Sequence, residues 1–197
     1  MEKKNEIGFA GFLRNVFNKT TPIPFKVETV KVAKNSFILN EGDIENYIYC
    51  VKEGIVEIGM YHNTSDHQII DFFFEKEFFC DFSNLMLSKP TKSYALAITD
   101  CSLERIHKDD FLSDESDKSL IVNQLLRYLL SITLFRRLRK EELRSFEGEE
   151  RYLAVISDSP NILKDIPVKK VAKYLNIHPQ SLSRIRANIN KKNSGQR

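Results

Sequence analysis

Gln180, Ser181, Arg184, Ala187 and Lys191 recur at the spacing of one helix face, with Ser183 at its edge. Together they carry the hydrogen-bonding chemistry of a major-groove reader. Glutamine can make a bidentate pair with adenine and arginine with the O6/N7 edge of guanine, whereas small Ser and Ala let a helix approach the bases closely. Lys169, Lys170, Lys173, Arg186 and Lys192 surround that face, and charges of this kind suit phosphate contacts or solubility rather than the reading of sequence. From Ile166 to Arg197 the chain has eight Lys or Arg and no Asp or Glu, while its total formal charge is only +3. So one-sided a segment implies double-stranded DNA as the partner.

Two helices must hold that face. Val171, Ala172 and Leu175 fall on one side of the first, and Leu182, Ile185 and Ile189 recur at helical spacing on the second and can pack against them. Asn176 sits where the chain must reverse, because Asn is the non-glycine residue that best tolerates a left-handed backbone. Ile177 plugs the corner. Pro179 suits the first helical position, where its missing amide hydrogen is no loss, and His178 is left as the cap. Spacing and turn are those of a helix-turn-helix. An ordinary packed α-domain with a solvated basic face would have to match the small Ala, the corner Asn, the apolar positions and the absence of acids by coincidence.

Little else in the chain points to chemistry. It contains no Cys-x-x-Cys, His-Glu-x-x-His, phosphate-cradling Gly-rich loop or Gly-x-Ser-x-Gly elbow, so catalysis has no motif to stand on. His62, His67, His107 and His178 are scattered, the first two flanking a polar turn at 63–66. Cys50, Cys80 and Cys101 are odd in number and set among strand-like residues, which predicts buried reduced thiols and no disulfide framework. At 197 residues, 42% hydrophobic and 29% charged, the chain has the composition of a soluble globular protein of two domains. No apolar run is long enough to span a membrane and Met1 to Glu6 lacks the core of a secretory signal, so a cytoplasmic location is expected.

From Val27 to His107, short runs rich in Val, Ile, Tyr and Phe alternate with turn residues, the pattern of a compact antiparallel β-barrel or roll. The predicted strands are Val27 to Val32, Phe37 to Leu39, Tyr47 to Lys52, Ile55 to Tyr61, Gln68 to Phe74, Ser93 to Ile98 and Ser102 to Ile106. Glu6 to Phe17 has helical spacing, is closed off by Pro22 and Pro24, and is read as a covering helix. A long helix is predicted from Lys118 to Phe146, spanning roughly 40 Å. Ile121, Leu125, Ile132 and Phe135 form one apolar line along it, widened by Val122, Leu126, Leu129 and Leu130. So broad a surface exceeds what capping one domain requires, and symmetric pairing through Ile121, Leu125, Leu129, Ile132 and Phe135 is the preferred account. The apolar face ends at Arg136 to Glu142, and after Gly148 a short helix through Tyr152, Leu153 and Ile156 leads to a loop from Ser157 to Pro160.

A β-roll, a long connecting helix and a terminal helix-turn-helix, in that order, resemble the Crp/Fnr family of bacterial transcription regulators over nearly the whole chain. Asn40-Glu-Gly-Asp43, Tyr47-Ile-Tyr-Cys-Val51 and Glu53-Gly-Ile-Val-Glu-Ile58 look like the family's early roll strands, and Ser181-Leu-Ser-Arg184 like its recognition helix. The resemblance implies an α+β fold: a cyclic-nucleotide-binding-like antiparallel β-roll (jelly roll) over 1–117, a dimerisation helix over 118–147 and a winged-helix-like helix-turn-helix domain over 148–197. It further implies a homodimer reading a two-fold symmetric DNA site through recognition helices about one helical turn apart.

In that family a Phe-x-Gly-Glu-Leu-like turn offers backbone contacts and a carboxylate for the ribose, and a later Arg-Ser or Arg-Thr pair grips the cyclic phosphate. The matching turn here is Phe78-Phe-Cys-Asp-Phe82, followed by Lys92 and Ser93, so the implied ligand-binding residues are Phe79, Cys80, Asp81, Phe82, Lys92 and Ser93. Cys80 replaces the glycine that permits close backbone approach, Asp81 has a shorter reach than glutamate, and Lys92 lacks the planar fork of arginine. The roll is therefore expected to keep its shape without being a cyclic AMP receptor, and no cofactor is expected. Another anion remains open as ligand, as does an apolar molecule lodged among Phe72, Phe73, Phe74, Phe78, Phe79 and Phe82, although such runs are more often plain core. Iron–sulfur sensing needs more cysteines than this chain has, and nothing at useful spacing supports haem on Cys80.

These readings converge on a non-enzymatic, sequence-specific DNA-binding regulator, homodimeric, whose roll senses a small-molecule effector; the resemblance leaves room for RNA polymerase as a further partner, and none for a membrane. Two alternatives belong to other classes. One is a cupin-type metal-dependent β-barrel enzyme with a basic tail, which needs clustered histidines where only His62 and His67 are near neighbours. The other is a constitutive DNA-binding dimer whose roll is purely structural.

Overall fold

The computed structural model describes residues 26–63, 66–112, 119–158 and 162–194. The covering helix expected at Glu6 to Phe17 lies outside them. Val27–Val32 (β1), Phe37–Leu39 (β2), Tyr47–Glu53 (β3), Val56–Asn63 (β4), Asp66–Phe73 (β5), Phe78–Phe79 (β6), Ser93–Ala97 (β7) and Cys101–His107 (β8) build two antiparallel sheets, ordered β1-β8-β3-β6 and β2-β7-β4-β5. Alternation along each strand sends every second side chain inward. Tyr49, Val51, Phe79 and Leu103 of the first sheet thereby share one core with Leu39, Val56, Phe73, Ala95 and Ala97 of the second. The turn from β3 to β4 is made by Gly54 at φ +93°, where an added Cβ would lie 2.5 Å from the Asp100 carbonyl oxygen, so no side chain fits.

The first sheet is apolar on its other face too. Ile48, Cys50, Phe78 and Ile106 bury there against Leu85 of Phe82–Leu87 (α1) and against Leu125 and Leu129 of a long helix. Lys108–Leu112 (α2) follows β8, and the long helix is Ser119–Ser145 (α3), within one residue of each predicted end. Leu125 is fully buried and Leu129 is 4% exposed. The chain accordingly divides inside α3, into compact units Met1–Leu129 and Leu130–Arg197.

In the second unit the rest of α3 is followed by Gly148–Asp158 (α4), Ile162–Asp165 (α5), Val168–Tyr174 (α6) and Pro179–Ser194 (α7). Tyr152, Val155, Ile162, Ile166, Val171, Ala172, Leu175 and Leu182 are its buried residues, together with Leu143. Along α4 Tyr152 and Val155 face inward, and Leu153 is 46% exposed. Ser157 and Asp158, expected in a loop, extend α4 instead. Among the described residues of this unit there is no strand, and among all described residues no helix is long and apolar enough to cross a membrane. The short elements β6, α1, α2 and α5 have no counterpart in the sequence reading, because two to six residues carry too few turns of periodicity to announce themselves.

Candidate functional site

Helices α6 and α7 pack through Val171, Ala172, Leu175 and Leu182, none more than 1% exposed, with Ile185 and Ile189 half-buried beside them. The corner between them is closed by its own backbone. The Asn176 N–H donates to the Lys173 carbonyl (3.1 Å) and the Ile177 N–H to the Ala172 carbonyl (3.0 Å), with Asn176 at φ 53°. This double closure around a left-handed residue ends α6 and aims the chain into α7. His178 contributes its carbonyl, which accepts the Leu182 N–H at 3.1 Å.

With Leu182 turned inward, Gln180, Ser181, Ser183, Arg184, Ala187 and Lys191 are all exposed and Arg186 is half-buried. Lys169 of α6 is exposed, Lys170 and Lys173 half so; the side chain of Lys192 lies outside those described. Ser183 directs its hydroxyl to the Pro179 carbonyl (3.0 Å), leaving Gln180, Ser181 and Arg184 as the outward polar residues of the first two turns. α6 carries three Lys, α7 carries both Lys and Arg, and neither helix carries an acid. The result is an exposed, positively charged helix face with a forked donor among its residues, the chemistry that can meet phosphates and base edges.

Two of the residues expected to pair copies of the chain do something else. Leu125 and Leu129 are buried in the roll's outer cluster, because that sheet face is apolar and needs covering. Among the described residues of α3 the large apolar side chains that remain open are Leu130 (47%), Leu134 (50%), Phe135 (69%) and Leu138 (64%), a line at i, i+4 and i+8 with Phe135 beside it. Ile132 is half-buried and the side chain of Ile121 lies outside those described. Arg139 joins the same stretch to the end of α4 through Asp158 (2.8 Å) and to Glu142 (2.6 Å).

In the roll, the turn matched to the nucleotide cassette is filled by its own groups. Asp81 caps α1, accepting the Asn84 N–H (3.4 Å), the Asn84 side-chain amide (2.6 Å) and the Thr91 hydroxyl (2.5 Å). Thr91 is 2% exposed and also accepts the Ser93 N–H (3.0 Å). Thr91, and not Lys92, thus stands over the turn; Lys92 is exposed and Ser93 half-buried. One position of register separates the two, and a pleated strand start sends neighbours to opposite sides. Glu45, missed in the sequence, is 1% exposed and accepts the Tyr47 N–H (3.1 Å). Burial pushes its carboxyl up to about 7, helped by the Asp81 carboxylate and opposed by the N–H groups of Tyr47, Asp81 and Asn46. Cys80 lies against both acids, and burial pushes its thiol up. Cys50 is pushed up to about 12 by burial, and Cys101 is also raised by it, so neither is poised as a nucleophile. An entering cyclic phosphate would face carboxylates here. Arg105 is engaged elsewhere, over the Tyr47 ring at 4.0 Å and on Glu28 at 3.0 Å.

The phenylalanines do not converge on one pocket. Phe73 and Phe79 sit in the sandwich core, Phe79 stacked on Tyr49 at 4.9 Å, while Phe78 turns outward to meet Tyr128 edge-on at 5.7 Å. Phe72, next to Phe73 on β5, points to the opposite face from it. The histidines are also apart: His62 faces Gln68 (3.0 Å), and His67 lies among the rings of Tyr61 and Tyr94 (6.1 and 6.0 Å). Among the described residues no three His, Cys, Asp or Glu are grouped to hold a metal ion.

Comparison with known proteins agrees with this architecture. Residues 29–113 match the family profile of the cyclic nucleotide-binding domain. Among solved structures the chain is similar to FixK2 from Bradyrhizobium japonicum, with 17% identity and a TM-score of 0.71 over 85% of this chain and 86% of that one. It is similar to the c-di-GMP responsive global regulator CLP of Xanthomonas campestris, with 15% identity and a TM-score of 0.66 over 85% and 88%. A CooA mutant from Carboxydothermus hydrogenoformans gives 14% identity and a TM-score of 0.64 over 91% and 84%. No curated protein sequence matches the chain. Residues 29–113 thus match the profile of the cyclic nucleotide-binding domain, and the chain as a whole has the fold of FixK2, CLP and CooA.

Proposed function

We propose that this chain is a homodimeric, sequence-specific DNA-binding transcription regulator and not an enzyme, and that its roll does not take a cyclic nucleotide in the family's usual manner. The observation that carries the reading is the exposed, acid-free outer face of α7, with Gln180, Ser181 and Arg184 held outward by a turn closed at Asn176. A fold shared with proteins described as regulators supports it. Dimerisation is supported by the open line Leu130, Leu134, Phe135 and Leu138, which is long enough for two copies of α3 to pair. Selection of bound fragments from random duplex DNA is the test. A two-fold symmetric motif is the expected product, and recovery of no motif would overturn the proposal.

The self-filled cassette favours a second reading, a constitutive dimer whose roll is structural. The Asp81 carboxylate is taken by the Asn84 amide and the Thr91 hydroxyl, and Glu45 accepts the Tyr47 N–H. Thermal unfolding against a panel of nucleotides and metabolites separates the two readings: a ligand that binds the folded protein raises its midpoint, and one held at about a hundred times its Kd adds about 2.7 kcal/mol. A rise with any compound would count against the silent roll. A rise with cyclic AMP or cyclic GMP would overturn the view of the cassette taken above.

A further inference from the structure

The carbonyl groups that end two different helices of the second unit converge on a single guanidinium. Arg151 of α4 donates from Nε to the Leu143 carbonyl (2.7 Å) and from Nη2 to the Phe146 carbonyl (2.7 Å), with the Arg144 carbonyl 3.5 Å from the same nitrogen. These oxygens belong to the last turn of α3 and the residue beyond it. From Nη1 it donates to the carbonyl of Leu175 (2.8 Å), the C-terminal cap of α6. The last carbonyls of a helix have no intrahelical donor and carry the negative end of its dipole. Two such ends brought together need a cation whose donors diverge in a fixed plane. Arginine has that fork; lysine, a point charge with one nitrogen, cannot reach both ends at once.

The backbone that carries this side chain is itself fixed. The Arg151 N–H bonds the Glu147 carbonyl at 2.8 Å, and the start of α4 lies against the reader, since a Cβ on Gly148 would stand 3.5 Å from Ile177 and 3.7 Å from Ile185. Half-buried, Arg151 spends its donors on helix ends and has no place on the outer face of α7. Its contacts link the end of the long helix to the end of the first reader helix.

We infer that Arg151 is a positioning residue for DNA reading: it locks the α6–α7 pair to the end of α3, and so sets how far apart two recognition helices stand in a dimer paired along α3. This rests on the DNA-binding reading proposed above. Half-site spacing in the DNA mirrors that separation, so the joint decides which spacing is accepted. Without it each reader keeps its own base chemistry but is free to shift against the helix that carries it.

The test uses the full chain and duplexes that bear the selected motif with its half-sites moved together or apart by single base pairs. The wild type is expected to prefer one spacing. Arg151→Gln should lose about tenfold of that preference, the scale of a net hydrogen bond to a charged group, while its affinity for a duplex with one half-site stays that of the wild type. Arg151→Lys should fall between the two. A Gln variant with wild-type helix content by circular dichroism and the wild-type spacing preference overturns the inference and leaves the DNA reading standing. If the Gln variant does not fold, the Lys variant carries the same test, and full retention of spacing preference by it overturns the inference. A wild type that binds no specific duplex fails earlier and overturns the DNA reading itself.

Discussion

Arg184 and Lys169 are both exposed cations, yet their surroundings give them different work. Arg184 stands in the middle of the outer face of α7 between Ser181 and Ala187, where a helix can come close to base edges; Lys169 stands on α6, at the side. Arg184→Ala should therefore abolish preference at one base position, at about 1–3 kcal/mol, whereas Lys169→Ala should weaken all duplexes evenly and lower the salt slope by about one. Binding to a set of singly substituted duplexes at two salt concentrations measures both, and equal losses on selected and random DNA for the two variants would contradict the division. Glu45 is the residue with a pH consequence. Its carboxyl is at about 7 in the folded chain against an ordinary value of 4.5, so between those two values the folded state holds a proton that the unfolded state has released. Stability is then highest below the lower value and falls as pH rises toward the upper one, by on the order of 3 kcal/mol in all. Glu45→Gln cannot ionise and should flatten that fall. Urea midpoints of the two proteins running parallel from about pH 4 to pH 8 would show Glu45 to have no part in it.

Among the elements, the α6–α7 corner rests on one backbone conformation. Asn176 at φ 53° accepts what a β-branched side chain resists, and Asn176→Val should cost about 1–3 kcal/mol, with Asn176→Gly close to neutral. Thermal unfolding of the three proteins checks the order, which steric hindrance dictates and polarity would not. This corner was legible in the sequence because everything that makes it is local: the helix ends, the left-handed residue and the apolar plug lie within a few positions of each other. The cassette was not. Asp81 and Thr91 meet only because α1 intervenes and β7 begins where it does, so alignment of residue types picked Lys92, one place away from the residue that faces the turn. Glu45 escaped for the same reason, since a glutamate before a strand looks solvated until Tyr47 and the cassette turn close over it.

For the molecule as a whole, the breadth of the apolar face on α3 is shared between two tasks. Its first half covers the roll through Leu125 and Leu129, and its second half leaves Leu130, Leu134, Phe135 and Leu138 open. Paired charges introduced there, as in Leu134→Asp with Leu138→Asp, should convert a dimer to a monomer in sedimentation at micromolar concentration and remove binding to two-fold sites, since like charges facing across a helix pair and lost apolar burial act together. The roll should remain folded in that variant because neither leucine belongs to it. A double variant that still sediments as a dimer would place the contact elsewhere. Any effector acting through such a dimer must bind one arrangement of it more tightly than another, because equal affinity for both moves nothing.

Taken alone, the order of residues determined the strands other than β6, the long helix and the reader, because each is announced by a repeat of two or of three to four positions and by the turn residues that interrupt it. Val171, Ala172, Leu175 and Leu182 were legible as the reader's inner side on that basis, and all four are buried. Tertiary structure alone decided which side of α3 is covered, that Thr91 and Asn84 occupy the carboxylate of Asp81, and that Arg151 gathers the ends of two helices. Periodicity says that a side chain faces inward; it does not say what it will meet. The partners of a buried carboxylate or a forked guanidinium are carbonyls and hydroxyls from distant segments, which every residue or many residues possess, and only the packed chain selects among them.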